Sequence, residues 1–307
     1  MSLVISTAWN AFRYSDAEKM IDELKELGFS EVELSFNLTS GMVDSVEKLV
    51  RRGSIAVSSV HNFCPVPEGY KREEALPDFF SMASTDHAER RRSVQFAKGS
   101  IDTAVRLHAR AVVLHCGRVE MGGDLFREMA RVFDHEGASA RFHSLKDTLV
   151  SRRAALCAPY LESALRSLDE LNRYAAERGI CLGVETRYYY GEIPTCAEVR
   201  RILDTFRGGS IRYWHDVGHA QVAENFGLAR QEDFLAAYKD DLLGMHLHDV
   251  VGSSDHKSPG SGAVDFGRLV PFITPETIKV IETHHPAPGI ELIRGREFLK
   301  TVFNGKA

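Results

Sequence analysis

The chain has 307 residues, 44% of them hydrophobic, with 38 Lys and Arg against 43 Asp and Glu for a formal net charge of −5. That acidic balance argues against a broad nucleic-acid footprint, because a phosphate backbone would be repelled at long range. The five cysteines (Cys64, Cys116, Cys157, Cys181, Cys196) are odd in number, lack CxxC spacing and sit in apolar segments; this argues against a disulfide framework or cysteine zinc site and predicts reduced thiols in a cytoplasmic protein.

Residues 3–9 (LVISTAW) read as a strand. Ser15 and Asp16 can cap a helix over AEKMIDELKELG, in which Met20, Ile21, Leu24 and Leu27 recur at helical spacing and Gly28 closes the end. A strand at 31–36 (EVELSF), a helix near VDSVEKLVRRG and a strand at 54–63 (SIAVSSVHNF) come next. A long helix over about 89–107 leads to the strand AVVLHCG at 111–117. The second half repeats the alternation. It gives a helix near 158–178, ICLGVET at 180–186, a helix from Cys196 to about Phe206, IRYWHD at 211–216, a helix at about 231–240 and LLGMHLHD at 242–249. A short helix near GRLVPFI, TIKVIET at 277–283 and a helix from about 291 to 303 complete the series.

Alternation of this kind, with eight strand–helix units, predicts an α/β protein: one (β/α)8 TIM barrel spanning 1–307 rather than an open doubly wound sheet. No Gly-rich phosphate fingerprint follows the first strand, where a nucleotide-binding sheet would usually carry one. The start lacks a basic segment followed by a long apolar run, and no apolar stretch reaches about 18 residues, so a soluble, unexported protein without a membrane partner is expected. Two connections, about 64–88 and 118–155, exceed the usual few residues. Both leave the carboxyl ends of strands, the side on which barrel active sites lie, and are expected to form a lid or pocket wall. The second is expected to contain helix, with its basic run ARFHSLKDTLVSRR as a solvated face.

Several strands end in an ionisable residue: His61, His115, Glu185, Asp216, His246 and Glu282. Side-chain alternation groups Glu185 with Gly183 and Cys181, His246 with Gly244 and His248, Glu282 with Val280 and Ile278, and His115 with Val113 and Ala111. Each polar group therefore tops a column of small or apolar residues. Trp214 shares the parity of Asp216 and can floor the pocket, whereas His215 packs behind the barrel. Glu185, Asp216, His246 and Glu282 come from four successive strands. Three carboxylates and an imidazole converging there call for one divalent cation, Mn²⁺, Mg²⁺, Co²⁺ or Zn²⁺. Asp249 is expected to orient His246 from behind. Arg187 is read either as an anchor for an anionic or hydroxylated substrate group or as a salt-bridge partner of Asp216 or Glu192.

The D-x-G-H of HDVGH (215–219), the H-x-H-D of HLHD (246–249), the G-x-G-x-x-D-F of GSGAVDF (260–266) and the final Glu282–Thr283 resemble the xylose-isomerase-like barrel superfamily, over nearly the whole chain. In its isomerase and epimerase branch, the resemblance implies that Glu185, Asp216, His246 and Glu282 hold one metal. Glu185 and Glu282 double there as acid and base, proton transfer passes through a cis-enediolate, and His219 contacts substrate. The endonuclease branch implies more ions: His61 and His115 with Glu185 for a second, and His219 and His256 for a third. The third site's aspartate position is Ser254 here, with Asp255 adjacent. The expectation is a metal-dependent isomerase or epimerase of a small carbohydrate or polyol, with His61, His115, Arg187, His219, His248 and His256 against substrate. An inositol-ketone dehydratase and a phosphodiesterase or apurinic-site-endonuclease-like hydrolase with two or three ions are the alternatives, and a homo-oligomer stays open.

Overall fold

Helix starts are set by short polar side chains that satisfy the free N–H groups of the first turn. Asp16 accepts from Glu18 and Lys19 at the start of α1 (Ala17–Glu26), and Thr39 from Met42 at the start of α2 (Ser40–Arg51). Asp86 does the same for α3 (His87–Arg106), and Ser139 accepts from Phe142. The structure, a computed structural model describing residues 2–305, places eight strands between and beyond these helices: β1 (Val4–Ser6), β2 (Glu31–Leu34), β3 (Ala56–His61), β4 (Ala111–Leu114), β5 (Cys181–Glu185), β6 (Ile211–Asp216), β7 (Leu242–Leu247) and β10 (Ile278–Ile281). They close in parallel in the order β1-β10-β7-β6-β5-β4-β3-β2, a (β/α)8 barrel as the alternation predicts.

A greasy plug fills the barrel. Val4, Ala111, Val113, Trp214, Ile278 and Val280 form a buried cluster of their own, separate from the larger core between strands and helices. Trp214 dictates two glycines. A Cβ at Gly244 would lie 2.4 Å from its ring and one at Gly183 2.9 Å away, so only glycine lets neighbouring strands pass the indole.

Several elements depart from expectation. The first strand stops at Ser6 instead of running to Trp9, because the chain enters a 3-10 turn over Thr7–Trp9 with the Ser6 hydroxyl accepting from Ala8. The second long connection carries α4 (Leu125–Glu136) and then runs directly into α5, one helix of 37 residues over Ala140–Ala176 that takes in the helix expected near 158–178. Its basic run is only partly solvated. Leu149 and Arg153 are buried, and Arg153 makes two 2.8 Å bonds to the carboxylate of Glu198. Glu198 lies in the first turn of α6 (Cys196–Thr205) and also accepts from the Thr195 N–H. A helix at α7 (Val217–Asn225) precedes the expected one, α8 (Gln231–Tyr238). A hairpin of β8 (Asp249–Val251) and β9 (Ser254–Lys257) rises from the seventh loop. The short helix near GRLVPFI is a 3-10 turn over Phe266–Phe272, and α9 (Gly289–Phe303) closes the chain's last unit.

Candidate metal and active site

Four ligand atoms, one each from Glu185, Asp216, His246 and Glu282, all lie within 4.8 Å of one another at the carboxyl ends of adjacent strands. Nδ1 of His246 stands at their centre, 2.6 Å from Glu185 Oε1, 3.1 Å from Glu282 Oε2 and 3.5 Å from Asp216 Oδ2. Asp216 does two jobs. It ends β6 and caps α7, accepting the His219 N–H at 2.7 Å. His246 pairs with Asp216 across the β6–β7 register, downstream of a bulge at Tyr213/Trp214.

A carboxylate absent from the sequence reading completes this shell. Glu33, fully buried on β2, places Oε1 3.1 Å from Nε2 of His246, and Ser59 donates to its other oxygen at 2.7 Å. A register shift between Val32 and Glu33 sets it opposite Ser59. Its signal was there: alternation in EVEL sends Val32 and Leu34 one way and Glu33 the other. Asp249, expected behind His246, is elsewhere. Its carboxylate accepts N–H groups from Val250, Gly260, Gly262 and Val264, so it moulds the Gly-rich loop.

Charge tests the fit of a cation. Four buried carboxylates converge on one imidazole; Arg187 offsets one of them at Glu185, and the rest lean on His246 and the surrounding histidines, whose protons a cation can replace. Burial opposes ionisation of Glu185, but Arg187, His115 and His246 outweigh it and hold its carboxyl well below the ordinary range. Burial is likewise outweighed at Asp216 by His219, His248 and His246, and at Glu282 by His246 and His256. At His246 burial is overcome by Glu282, Glu33 and their neighbours, which push the imidazole well above its usual value. An oxygen-rich, strongly negative shell with one nitrogen suits a hard or borderline divalent ion.

The other predicted residues divide. His115 Nε2 lies 2.8 Å from Glu185 Oε2 and His61 Nε2 3.9 Å from it; the three offer ligand atoms within 4.8 Å of one another. His61 Nδ1 donates to the Asn62 carbonyl (3.1 Å), which leaves Nε2 with its lone pair facing inward. Burial, then His115, pulls His61 below its ordinary value, favouring that neutral form. Asp78, from the first long connection, lies 3.1 Å from His115 Nδ1 and was not anticipated. The salt-bridge reading of Arg187 holds for Glu192 (3.1 Å) and not for Asp216; Arg187 also bonds Glu185 and approaches Asp78 at 3.7 Å.

His219 faces the cavity with Nδ1 3.0 Å from the Thr186 carbonyl and Nε2 3.5 Å from Asp255. Asp255 also meets His256 Nδ1 at 3.1 Å, so the aspartate one place along from Ser254 does reach these two histidines. His248 is the exception to the substrate-facing set. It does not line the cavity. Its Nδ1 accepts the His256 N–H at 2.9 Å, so its proton sits on Nε2, which donates to Asp216 Oδ1 at 2.9 Å. That contact explains the glycine of D-x-G-H, since a Cβ at Gly218 would lie 2.0 Å from the His248 ring. His215 is buried behind the barrel against Tyr213 and Gln231, as parity predicts.

Above the shell opens a cavity of about 890 Å³, lined by His61, His115, Glu185, His219, His256 and Glu282 inside and by both long connections outside. A family model described as xylose isomerase-like TIM barrel matches residues 21–302. The chain belongs to that family. Within the xylose isomerase-like barrels, it is similar in structure to L-ribulose 3-epimerase (16% identity, 99% of this chain and 95% of that one, TM-score 0.70). It is also similar to 3-keto-D-glucoside 4-epimerase YcjR from E. coli (16% identity, 98% and 99%, TM-score 0.69) and to the IolI protein with a bound zinc atom (14% identity, 99% of each, TM-score 0.68). At these identities the likeness is one of fold. No curated protein sequence matches the chain significantly. No helix among the described residues is long and apolar enough to cross a membrane.

Proposed function

We infer that this xylose isomerase-like barrel is a divalent-metal-dependent isomerase or epimerase of a carbonyl sugar or related polyol. The observation that carries the reading is the pair Glu185 and Glu282, brought from β5 and the end of β10 to Nδ1 of the same imidazole, 2.6 and 3.1 Å away, at the base of an open cavity. Fold-mates that are named sugar epimerases, and one with a bound zinc, support it.

A cation held by Glu185, Asp216, Nδ1 of His246 and Glu282 would polarise a carbonyl beside a hydroxyl and acidify the adjoining C–H. One glutamate removes that proton and the other returns one. Return to the opposite face of the same carbon inverts it; return to the neighbouring carbon moves the carbonyl. Glu282 is the freer of the two, because Glu185 is pinned by His115, Arg187 and His246. Glu282 is therefore assigned the first proton transfer. His61, His115, His219 and His256 line the cavity within reach of hydroxyl groups, and Arg187 fixes Glu185 rather than anchoring an anion.

A second reading rests on its own observation. His61, His115 and Glu185 form another ligand set, and Asp255 stands near His219 and His256 as a third, an arrangement suited to a hydrolase with two or three ions. Metal content and turnover separate the readings. Uptake of solvent deuterium at carbon from a panel of ketoses and keto-glycosides, with about one Mn²⁺ per chain by elemental analysis, is expected. Two or three zinc ions per chain with phosphodiester cleavage and no exchange at carbon would replace it with the hydrolase.

A further inference from the structure

The cavity has two parts of opposite character. The inner part is ionisable, as described. The outer part comes from the two long connections and the loop after β5, and its walls are largely apolar: Leu76, Met121, Leu125, Phe126, Leu149 and Tyr188. This wall is already built. Phe126 meets Tyr188 and Tyr189 edge-on, with ring centroids 5.4 and 5.2 Å away, and is backed by Phe226 at 5.7 Å. At the rim, Leu76 is 62% exposed, and Met121, Leu125 and Tyr188 are half-buried. A group of such side chains at the mouth of one pocket, unlike a single exposed residue, fits a surface that a ligand covers.

Size points the same way. About 890 Å³ lies near the top of the ~300–1,000 Å³ range of pockets that enclose drug-sized ligands. A free monosaccharide would occupy only the inner part and would leave Leu76, Met121, Leu125 and Tyr188 open to water. Charge then narrows the occupant. Three arginines, Arg118, Arg127 and Arg152, line the outer part, but each is engaged. Arg118 pairs with Glu120 at 2.9 Å and Arg127 with Asp124 at 3.6 Å, while Arg152 lies 3.3 Å from the Gly122 carbonyl. Their carboxylate partners line the same cavity, so an anion would meet acids as well as bases there. A neutral group meets no such conflict.

Building on the isomerase or epimerase reading, we propose that the outer chamber binds an uncharged aryl substituent carried by the carbonyl sugar, so that the natural substrate is a sugar conjugate rather than a free sugar. Flat rings suit the wall of Tyr188 and Tyr189 backed by Phe126, and Leu76 and Leu125 add apolar surface to the same chamber. The inner histidines and glutamates keep their roles on the sugar end.

The test is calorimetric titration of the Mn²⁺-supplied chain with matched pairs, 4-nitrophenyl against methyl β-D-glycosides of glucose, galactose and xylose. The aryl member of at least one pair is expected to bind tenfold or more tightly than its methyl partner. Leu76→Ser and Leu125→Ser are expected to remove at least half of that ratio on a logarithmic scale while leaving methyl-glycoside affinity unchanged; both positions are surface-accessible, and circular dichroism confirms folding. Equal affinities in every pair, absence of any aryl-glycoside binding at millimolar concentration, or tighter binding of glucose 6-phosphate than of the aryl glycosides would each overturn the proposal. Binding is read without turnover, so an aryl preference with no proton exchange would sink the catalytic reading alone.

Discussion

Glu33 Oε1 lies 3.1 Å from Nε2 of His246, with both side chains fully buried, and Nδ1 of the same ring faces Glu185, Glu282 and Asp216. The carboxylate takes the outer N–H and leaves the inner nitrogen free to hold a cation, the relationship that commonly fixes ring orientation and raises ligand basicity.

Glu33→Gln preserves shape but removes the charge behind His246. Cation affinity is expected to fall by about 10- to 100-fold, read by competition against a chromophoric chelator. Asp249→Asn is the contrast. It leaves affinity unchanged but weakens the Gly260–Val264 loop, lowering stability by about 1–3 kcal/mol in urea titrations because the buried N–H groups of Val250 and Val264 lose a charged acceptor. Equal affinity loss in both variants would place the orienting role elsewhere.

Glu282→Gln is expected to cut proton exchange by roughly 100- to 10,000-fold, while cation affinity falls much less because Glu185, Asp216 and His246 remain. The measurement is deuterium uptake under single-turnover conditions at saturating Mn²⁺. Full activity in this variant would remove Glu282 from proton transfer.

Chelation with EDTA should lower the thermal midpoint and Mn²⁺ should restore it; at a hundredfold excess over Kd the ion adds about 2.7 kcal/mol. The pH dependence has a definite sign. Burial disfavours charge on His246, but Glu282 and Glu33 raise its affinity for a proton well above the usual value, so a cation must displace that proton. Affinity should therefore rise with pH, with proton release detectable by titration in buffers of different ionisation enthalpy. Proton-independent binding would exclude His246 as a ligand.

Arg153→Met breaks a buried pair and strands Glu198, costing about 3–5 kcal/mol at neutral pH. Burial opposes ionisation of Glu198, but Arg153, the Cys157 thiol and the Thr195 N–H hold its pKa below the ordinary value. A depressed carboxyl pKa contributes stability above the unfolded value, near ~4.3, and loses it as pH falls toward the folded value. The gap between wild type and variant should thus narrow below about pH 4. A constant gap in urea titrations from pH 7 to pH 3 would rule out this linkage.

The metal quartet was legible because each member follows an apolar run, and strand alternation puts it over a column of small residues. Alternation failed at His248 for a physical reason: β7 ends at Leu247, so the parity linking His248 to His246 no longer holds, and the ring turns behind Asp216. Glu33 lies within its strand rather than at the end, where the other ligands cluster, and although alternation turns it inward the bulge that sets it against Ser59 has no sequence signature. Asp78 comes from irregular backbone with no period to read. The α7 helix is hard to read because one residue, Asp216, both ends β6 and caps the helix, leaving no loop between the two elements. Gly183, Gly218 and Gly244 carried unread information: each marks a place where a Trp214 or His248 ring occupies the space of a side chain.

Because α5 is unbroken from Ala140 to Ala176, the segment bearing Leu149, Arg152 and Arg153 shares one rotational phase with the segment packed on the barrel. Each inserted or deleted residue would turn everything upstream by about 100°, taking Leu149 off the cavity and Arg153 away from Glu198. Natural variation and engineering alike are thereby confined to length changes near whole turns, and a graft of this wall onto another barrel succeeds only when cut in angular register.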